Sequence, residues 1–590
     1  MEKKWADLFC AGSQAVIFFI LLLASPAYSF SEDDKTLFGA DPVQAAIQSR
    51  LLYGAASGAL SCQGEAMCSV QLMPSIYEKR QYQPLWSDGV QVSAQAMSFV
   101  RAMEQAPEEG LVPADYYLST IDKLLFVIQG RQAAGHSVPS MVWAELDLIL
   151  TDAFLLYGSH LSAGRVNPET LHNDWKVNLQ SVDLVAALER ATAPDSDVDA
   201  EIDALRPPYP EYRGLKKELA RLRNVVHSQE EVPRVPDGTT LRPGDRNSAI
   251  PILRQRLIVS GDLSPDTSVA QADLFDGELV KAVKAFQQRN GLATDGAVGK
   301  NTFYMLNIPV QDRIRQVIIN LERWRWLPRD LGRRHVVVNT ADFNLKAVAN
   351  NTVMLDMRVV VGRPARRSPV FSAEISYLVV NPYWNIPNTI AVADILPRLK
   401  KGDVSYLNSR KIRVFQTWSK DAVEINPSTI DWRAYGPGRF PFRLRQDPGP
   451  TNSLGRIKFM FPNPFAVYLH DTPNHALFDR TQRDFSSGCI RVEFPSKLAE
   501  FVLAETPDWP PEKLAQAIKS QKTQTIRPRL PVPVHLLYIT AWTDDAGVLQ
   551  FRKDIYDRDI ALQRAFNQRR SQSASHPSAF PVTTEIENQE

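Results

Sequence analysis

The spacing of apolar residues changes once along the chain, near Arg334, and that change limits the fold more than any other feature. Before it, Val142, Leu146, Ile149, Ala153 and Leu156 recur at alternating four- and three-residue intervals, which lines them along one stripe of a helix. After it come short runs rich in β-branched residues at 335–339, 345–348 and 354–361, with an Asn350-Asn351 turn inside, and another at 375–380. One packed layer cannot serve both periods. A chain of 590 residues also exceeds a single core, so roughly three to four units are expected. The expected class is multidomain α+β. A formal net charge of +1 provides no footprint for a polyanion, and no nucleic-acid partner is expected.

Composition suggests the boundaries. Lys3 and Lys4 precede an apolar run at 15–24, and Ser25, Ala27 and Ser29 suit a cut after Ala27 or Ser29. Residues 1–29 therefore read as an export signal to the periplasm. The run is shorter than the about 20 residues that span a bilayer, and an uncleaved signal would instead hold the chain at the inner membrane. Residues 30–240 read as a mostly helical scaffold ending in a polar, proline-bearing linker, with no clustered catalytic residues. Residues 241–310 form a compact helical module, in which Ile250, Leu253 and Leu257 share one face and Leu279, Val283 and Phe286 another. Asp276-Gly277 and Asp295-Gly296 read there as turns.

The β domain spans 311–505, interrupted at about 387–442 by an insertion with a helix near 389–399, several aromatics and the Gly436-Pro437-Gly438 bend. Strand pattern resumes at 456–461 and 465–470. Residues 506–570 form an extension packing on the β domain or the scaffold, with a late hairpin of strands at 534–542 and 548–556. Residues 571–590 are polar and read as disordered.

The chemistry centres on Cys489, one of four cysteines. Cys10 lies in the signal; Cys62 and Cys68 are close enough in sequence to close a disulfide loop, or stay two thiols; Cys489 is left over. A cysteine nucleophile needs a base, oxyanion donors and access. Gly488 lets backbone approach a substrate, so the Gly488 and Cys489 amides are expected to face an oxyanion. Arg491 shares the face of Cys489 if the segment is a strand, and could favour thiolate or bind a carboxylate. Of the two nearby histidines, His470 shares a strand face with Ala466 and Tyr468, whereas His475 lies in the following loop, so His470 is the expected base.

His470-Asp471-Thr472-Pro473 followed by Ser486-Ser487-Gly488-Cys489-Ile490-Arg491-Val492 resembles the signature of the L,D-transpeptidase (YkuD) family. The resemblance implies His470 as base, Cys489 as nucleophile, Gly488 in the oxyanion hole, the backbone carbonyl of Asp471 as third member of the triad, and Arg491 as support. Ser487 stands where most of the family has histidine, and Asp471 where glycine is usual. The module resembles a peptidoglycan-binding domain through its Asp-Gly turns, Phe286-Gln287 and Gly291-Leu292. The scaffold, the insertion and Asn452-Ser453-Leu454-Gly455 resemble the large three-domain YcbB type.

The resemblance implies attack on tetrapeptide stems between meso-diaminopimelate and D-alanine, an acyl-enzyme, and transfer to the amine of a second stem as a 3→3 cross-link. The insertion then reads as a lid that keeps water from the acyl-enzyme. Trp384 and Trp418, with Tyr383, Trp432 and Tyr435, could wall a substrate tunnel, or simply pack the insertion's own core; Tyr468, Ser487 and Asn452 are further candidate substrate contacts. No cofactor and no metal are expected. The expected partners are donor and acceptor stems, with penicillin-binding proteins as candidate protein partners, and the chain is expected to be a monomer and a carbapenem target. Alternatives are hydrolysis of the same stems, attachment of a lipoprotein to the wall, and a non-catalytic wall-binding protein.

Overall fold

The computed structural model describes residues 41–57, 60–177, 182–227, 233–266 and 271–572. The expected export signal at 1–29 lies outside the described residues, as does the expected tail at 571–590 apart from 571–572, which end a helix. Among the described residues no helix is long and apolar enough to cross a membrane.

The N-terminal region is built around helix Ser140–Ala163. The sequence suggests one apolar stripe on it, but the helix is buried on nearly every side, from Trp143 to Leu161, by the helices Pro42–Ser57, Leu118–Ala133, Leu184–Ala191 and Val198–Leu205. Its polar positions are buried too. Asp147 accepts from the amides of Leu85 (2.9 Å) and Trp86 (2.8 Å) and from the Tyr77 hydroxyl (2.6 Å). Asp152 accepts from the amides of Cys68 (2.8 Å) and Ser69 (2.6 Å) and from the Tyr117 hydroxyl (2.7 Å). Two carboxylates thus hold the irregular segment 67–86 against the helix by filling its orphan donors. No disulfide joins Cys62 and Cys68. The Cys62 thiol donates to the Glu145 carbonyl, and the Tyr117 hydroxyl donates to the Cys68 sulfur.

The module has its own core, which includes Leu253, Leu257, Leu279, Val283, Phe286 and Phe303, on helices Ile250–Ser260, Gly277–Arg289 and Lys300–Leu306. The two Asp-Gly pairs differ. Asp276 caps a helix, accepting from Leu279 N at 2.9 Å, so Gly277 is the first helical residue rather than part of a turn. Gly296, at φ +77°, does turn, and its amide donates to the Gln287 side chain at 2.9 Å.

Eleven strands form the main sheet. They are β1 Arg334–Asn339, β2 Asn344–Ala349, β3 Thr352–Gly362, β4 Phe371–Ile375, β5 Tyr377–Val380, β6 Ile457–Met460, β7 Leu469–His470, β8 Asp484–Ser486, β9 Ile490–Val492, β10 Gln524–Ile526 and β11 Val532–Leu537. The order is β10-β5-β6-β7-β9-β3-β2-β1-β11-β4, with β8 also beside β3. The expected strand at 375–380 is broken at Ser376, and its halves β4 and β5 lie near opposite ends of that order, which curls the sheet around one core. The expected strand at 465–470 keeps only β7. Asn463 draws the Phe465 and Val467 amides to its side-chain oxygen (3.1 and 3.2 Å), and Ala466 adopts φ +53°. The late hairpin is also divided. β11 joins the main sheet parallel to β1, and a smaller pair, Ala541–Thr543 with Leu549–Phe551, follows. Helix Arg558–Gln572 packs Leu562 and Phe566 into the same core, and buried Arg558 pairs with Asp174 at 2.6 Å.

The insertion folds on its own core, which includes Ile386, Leu396, Leu407, Trp432, Phe442 and Leu444. A four-stranded sheet, Glu424–Ile425, Ile412–Phe415, Arg443–Gln446 and Trp384–Ile386 in that order, pairs its first segment with its last, so the folded unit reaches beyond 387–442 at both ends. The expected helix near 389–399 contains a π-helical segment, Ala391–Ile395, between two short α-helical pieces.

Candidate active site

Three adjacent strands carry the site. Lys458 of β6 faces His470 of β7 across an antiparallel pairing, and His470 faces Arg491 of β9 across a parallel one. Tyr468 and Cys489 immediately precede β7 and β9, and the Ile490 amide donates to the Tyr468 carbonyl at 3.1 Å, so these two are neighbours. Strand alternation then brings Lys458, Tyr468, His470, Cys489 and Arg491 to one face. His470 is diagonal to Cys489, a relation that separates backbones by about 7–8 Å and leaves long side chains in reach.

The His470 ring is buried and its Nδ1 lies 2.5 Å from the carbonyl oxygen of Asp471. A carbonyl can only accept, so Nδ1 carries the proton and the Nε2 lone pair is left for another group. Burial, with the positive charges of Arg491 and Lys458, pushes the imidazole pKa down to about 3. The Cys489 thiol is pushed up by burial, against the hydrogen bonds of Tyr468 and the charges of Lys458 and Arg491. Burial thus favours the uncharged form of both the imidazole and the thiol.

Gly488 has φ +112°, and a Cβ there would meet the Arg367 carbonyl oxygen at 3.4 Å. Its carbonyl accepts from the Ser368 hydroxyl at 2.8 Å. The expectation that the Gly488 amide faces an oxyanion is corrected by the geometry. That amide donates to Ser486 Oγ at 3.1 Å, while the Ser486 hydroxyl donates to the Cys489 carbonyl at 2.5 Å. The serine side chain, two residues back, satisfies the turn from inside.

Asp471 contributes more than its carbonyl. Its side chain accepts from the Arg456 and Thr472 amides at 2.7 and 2.6 Å. Gly455, at φ +60°, lies so close that a Cβ would stand 2.3 Å from the Asp471 carboxyl carbon. Asn452, an expected substrate contact, is fully buried: its amide donates to the carbonyls of Pro382 and Asp447, both at 3.0 Å, and its oxygen accepts from Leu454 N at 2.8 Å. With those bonds it shapes the loop that delivers Gly455 to Asp471, and no group is left for a stem. Asn-Ser-Leu-Gly thus serves the orientation of His470.

Ser487 is exposed beside the thiol and accepts from Arg366 at 2.8 Å. Arg366 also pairs with Asp394 of the insertion's π segment at 2.8 Å, and Arg363 pairs with the same carboxylate at 3.4 Å. Where a histidine was expected, a serine is tied through one arginine to the insertion. Trp384 is half-buried at the insertion's base. The other aromatics divide. Trp432 is 3% exposed and packs on Phe440 and Phe442, and Tyr435 packs on Phe442, in the insertion's core. Trp418 and Tyr383 are 47% and 44% exposed. His475 lies in the turn His475–Leu477, its ring against Phe478.

The sequence reading missed Lys458, Ser368 and Arg366. Only Lys458 carried a signal, since it alternates with Ile457 and Phe459, but the register that sets it beside His470 is not legible in one strand. Among the described residues no group of three or more His, Cys, Asp or Glu side chains is placed to hold a metal ion.

Three family models match the chain: an L,D-transpeptidase catalytic domain over residues 333–514, a "Putative peptidoglycan binding domain" over 246–306, and a Scaffold domain over 71–219. A Haemophilus influenzae protein described as "Putative L,D-transpeptidase" is 35% identical over 250 residues, which cover 42% of this chain and 49% of that protein. The N-acetylmuramoyl-L-alanine amidase CwlM of Mycobacterium tuberculosis is 43% identical over 81 residues, covering 12% of this chain and 20% of its own. The chain thus spans half or less of the length of these relatives. A crystal structure of an L,D-transpeptidase from Stackebrandtia nassauensis, at 12% identity, aligns with 52% of this chain and 96% of its own at a TM-score of 0.19, too slight to carry an argument. The chain carries a YkuD-type L,D-transpeptidase catalytic domain, together with a scaffold domain and a peptidoglycan-binding domain.

Proposed function

We propose that this protein is a periplasmic peptidoglycan L,D-transpeptidase that forms 3→3 cross-links through an acyl-enzyme on Cys489. The observation that supports it most is the pairing of β7 with β9, which sets a neutral, carbonyl-oriented His470 diagonal to Cys489. The sulfur attacks the carbonyl between the L-centre of meso-diaminopimelate and D-alanine of a tetrapeptide stem. His470 Nε2 takes the thiol proton as the C–S bond forms, and the Cys489 amide donates to the oxyanion. Nε2 then returns the proton to the departing D-alanine amine, leaving a thioester. A second stem's side-chain amine, deprotonated by the same nitrogen, attacks the thioester and restores the thiol. The insertion, tied to Ser487 through Asp394 and Arg366, shelters the thioester from water. The module at 246–306 holds the enzyme on the wall, and the export signal brings it there.

Purified tetrapeptide muropeptides test the reading. Dimers joined through two diaminopimelate residues, absent with Cys489→Ala, are the expected product. Tripeptides alone would mean hydrolysis, and no product with folded protein, together with no carbapenem adduct at Cys489, would leave only wall binding.

A further inference from the structure

The catalytic face holds two half-buried cations, and no carboxylate of the described residues is paired with them. The described residues supply neither Lys458 nor Arg491 with an ion pair, and Arg491 Nε is buried without a hydrogen-bond partner. Glu493, the nearest acid in sequence to Arg491, is paired with Arg358, and Asp471 is turned away to the Arg456 and Thr472 amides. Burying a cation without a counter-charge is costly, so a binding face that keeps two of them is set up for an anion.

Geometry separates the two cations. Arg491 stands beside His470 on β9, directly across the ladder. The Lys458 ammonium instead reaches over the ring of Tyr468, 3.8 Å from its centroid, and Tyr468 is the ladder neighbour of Cys489. When the sulfur meets the scissile carbonyl carbon, the leaving residue's carboxylate is only a nitrogen and one carbon further along the chain. It must then lie among the groups that ring Cys489.

We infer that Lys458 is a specificity-determining residue whose ammonium, steadied on Tyr468, binds the C-terminal carboxylate of the residue that leaves the donor stem. This rests on the transpeptidase reading and narrows it: the donor must end in a free carboxylate one residue past the scissile bond. Binding there sets the register of attack and offsets the charge that burial leaves open.

The test compares a tetrapeptide stem ending in a free carboxylate with the same stem ending in a carboxamide, using the full chain. The wild type should prefer the free acid by about 10- to 100-fold in kcat/KM, the range of one charge-assisted hydrogen bond. Lys458→Met should bring that preference to within about threefold, and Lys458→Arg should keep most of it. Lys458→Gln, which retains length and polarity without charge, stands in if the Met variant does not fold. A Met or Gln variant that keeps the wild-type preference overturns the inference, as does a wild type that turns over acid and amide alike. Turnover of neither stem by wild-type protein would bring down the transpeptidase reading, and this inference with it.

Discussion

The scaffold and the catalytic sheet bury charge in opposite ways. In the scaffold, Asp147 and Asp152 lie inside a helix that is apolar on nearly every side, and each is met by two backbone amides and a tyrosine hydroxyl. On the catalytic face Lys458 and Arg491 are half-buried with no carboxylate paired to them among the described residues, beside a histidine kept neutral by burial and by their charge. A buried group whose hydrogen-bond partners are all supplied by the fold ties the fold together. One left without a partner is a place for a ligand. The same distinction sorts the site itself: Asn452 and Asp471 are saturated and shape loops, whereas Lys458, His470 and Cys489 keep capacity for substrate.

The comparison can be broken at several points. The largest effect is expected at the open end: His470→Ala should lower turnover by on the order of 10²–10⁴ without shifting the thermal melt downward, read by muropeptide kinetics beside calorimetry. Loss of stability equal to the loss of rate would put His470 among the structural groups. Next, Asp147→Ala should cost about 2–4 kcal/mol in denaturant unfolding, because three buried donors lose their acceptor. Asp147→Asn, which keeps one acceptor oxygen, should cost less. Arg366→Ala should slow transfer by roughly threefold to tenfold and raise the tripeptide-to-dimer ratio, since the link from the insertion to Ser487 is half-exposed and each such contact is worth about 1 kcal/mol or less. An unchanged ratio would separate the insertion from water exclusion.

The two regions should also titrate in opposite directions, the smallest effect. His470 is held down to about 3 and His535 to about 4, so in the folded state they stay neutral where the unfolded chain takes up protons, below about pH 6.5. Their contribution to stability is lost as pH falls from about 6.5 through those values. Burial raises Asp147 to about 6, so its contribution is present below the unfolded carboxylate value and is lost as pH rises through about 6. Melts between pH 3 and 7 should show the acid limb flattened in His535→Asn and the opposite limb flattened in Asp147→Asn. Parallel shifts in both variants would contradict the assignment.

What was legible in the sequence follows the same division. Period-two alternation set Tyr468 and His470 on one face, and the Ser486–Val492 run pointed to Cys489, because both signals are local; the count that left Cys489 over does not hold, since Cys62 and Cys68 are also free thiols. The helix at 140–163 reads as a stripe because periodicity reports one apolar face and cannot count neighbours that cover the others. The strand at 465–470 was over-read because a side chain, Asn463, captured the amides that a ladder would have used. Arg366 gave no signal, and Lys458 only an alternation that does not name its neighbour, for a different reason. Each gains its meaning from a partner far along the chain, His470 through the β6–β7 register and Asp394 through an ion pair.

Intact-protein mass spectrometry after rapid acid quench of the full chain with tetrapeptide stem tests the central claim most directly. The account expects an added mass equal to the stem less alanine, mapped to the peptide that contains Cys489, absent in Cys489→Ala and much reduced in His470→Ala. Cross-linked product formed with no such adduct, or with an adduct on another residue, would contradict it.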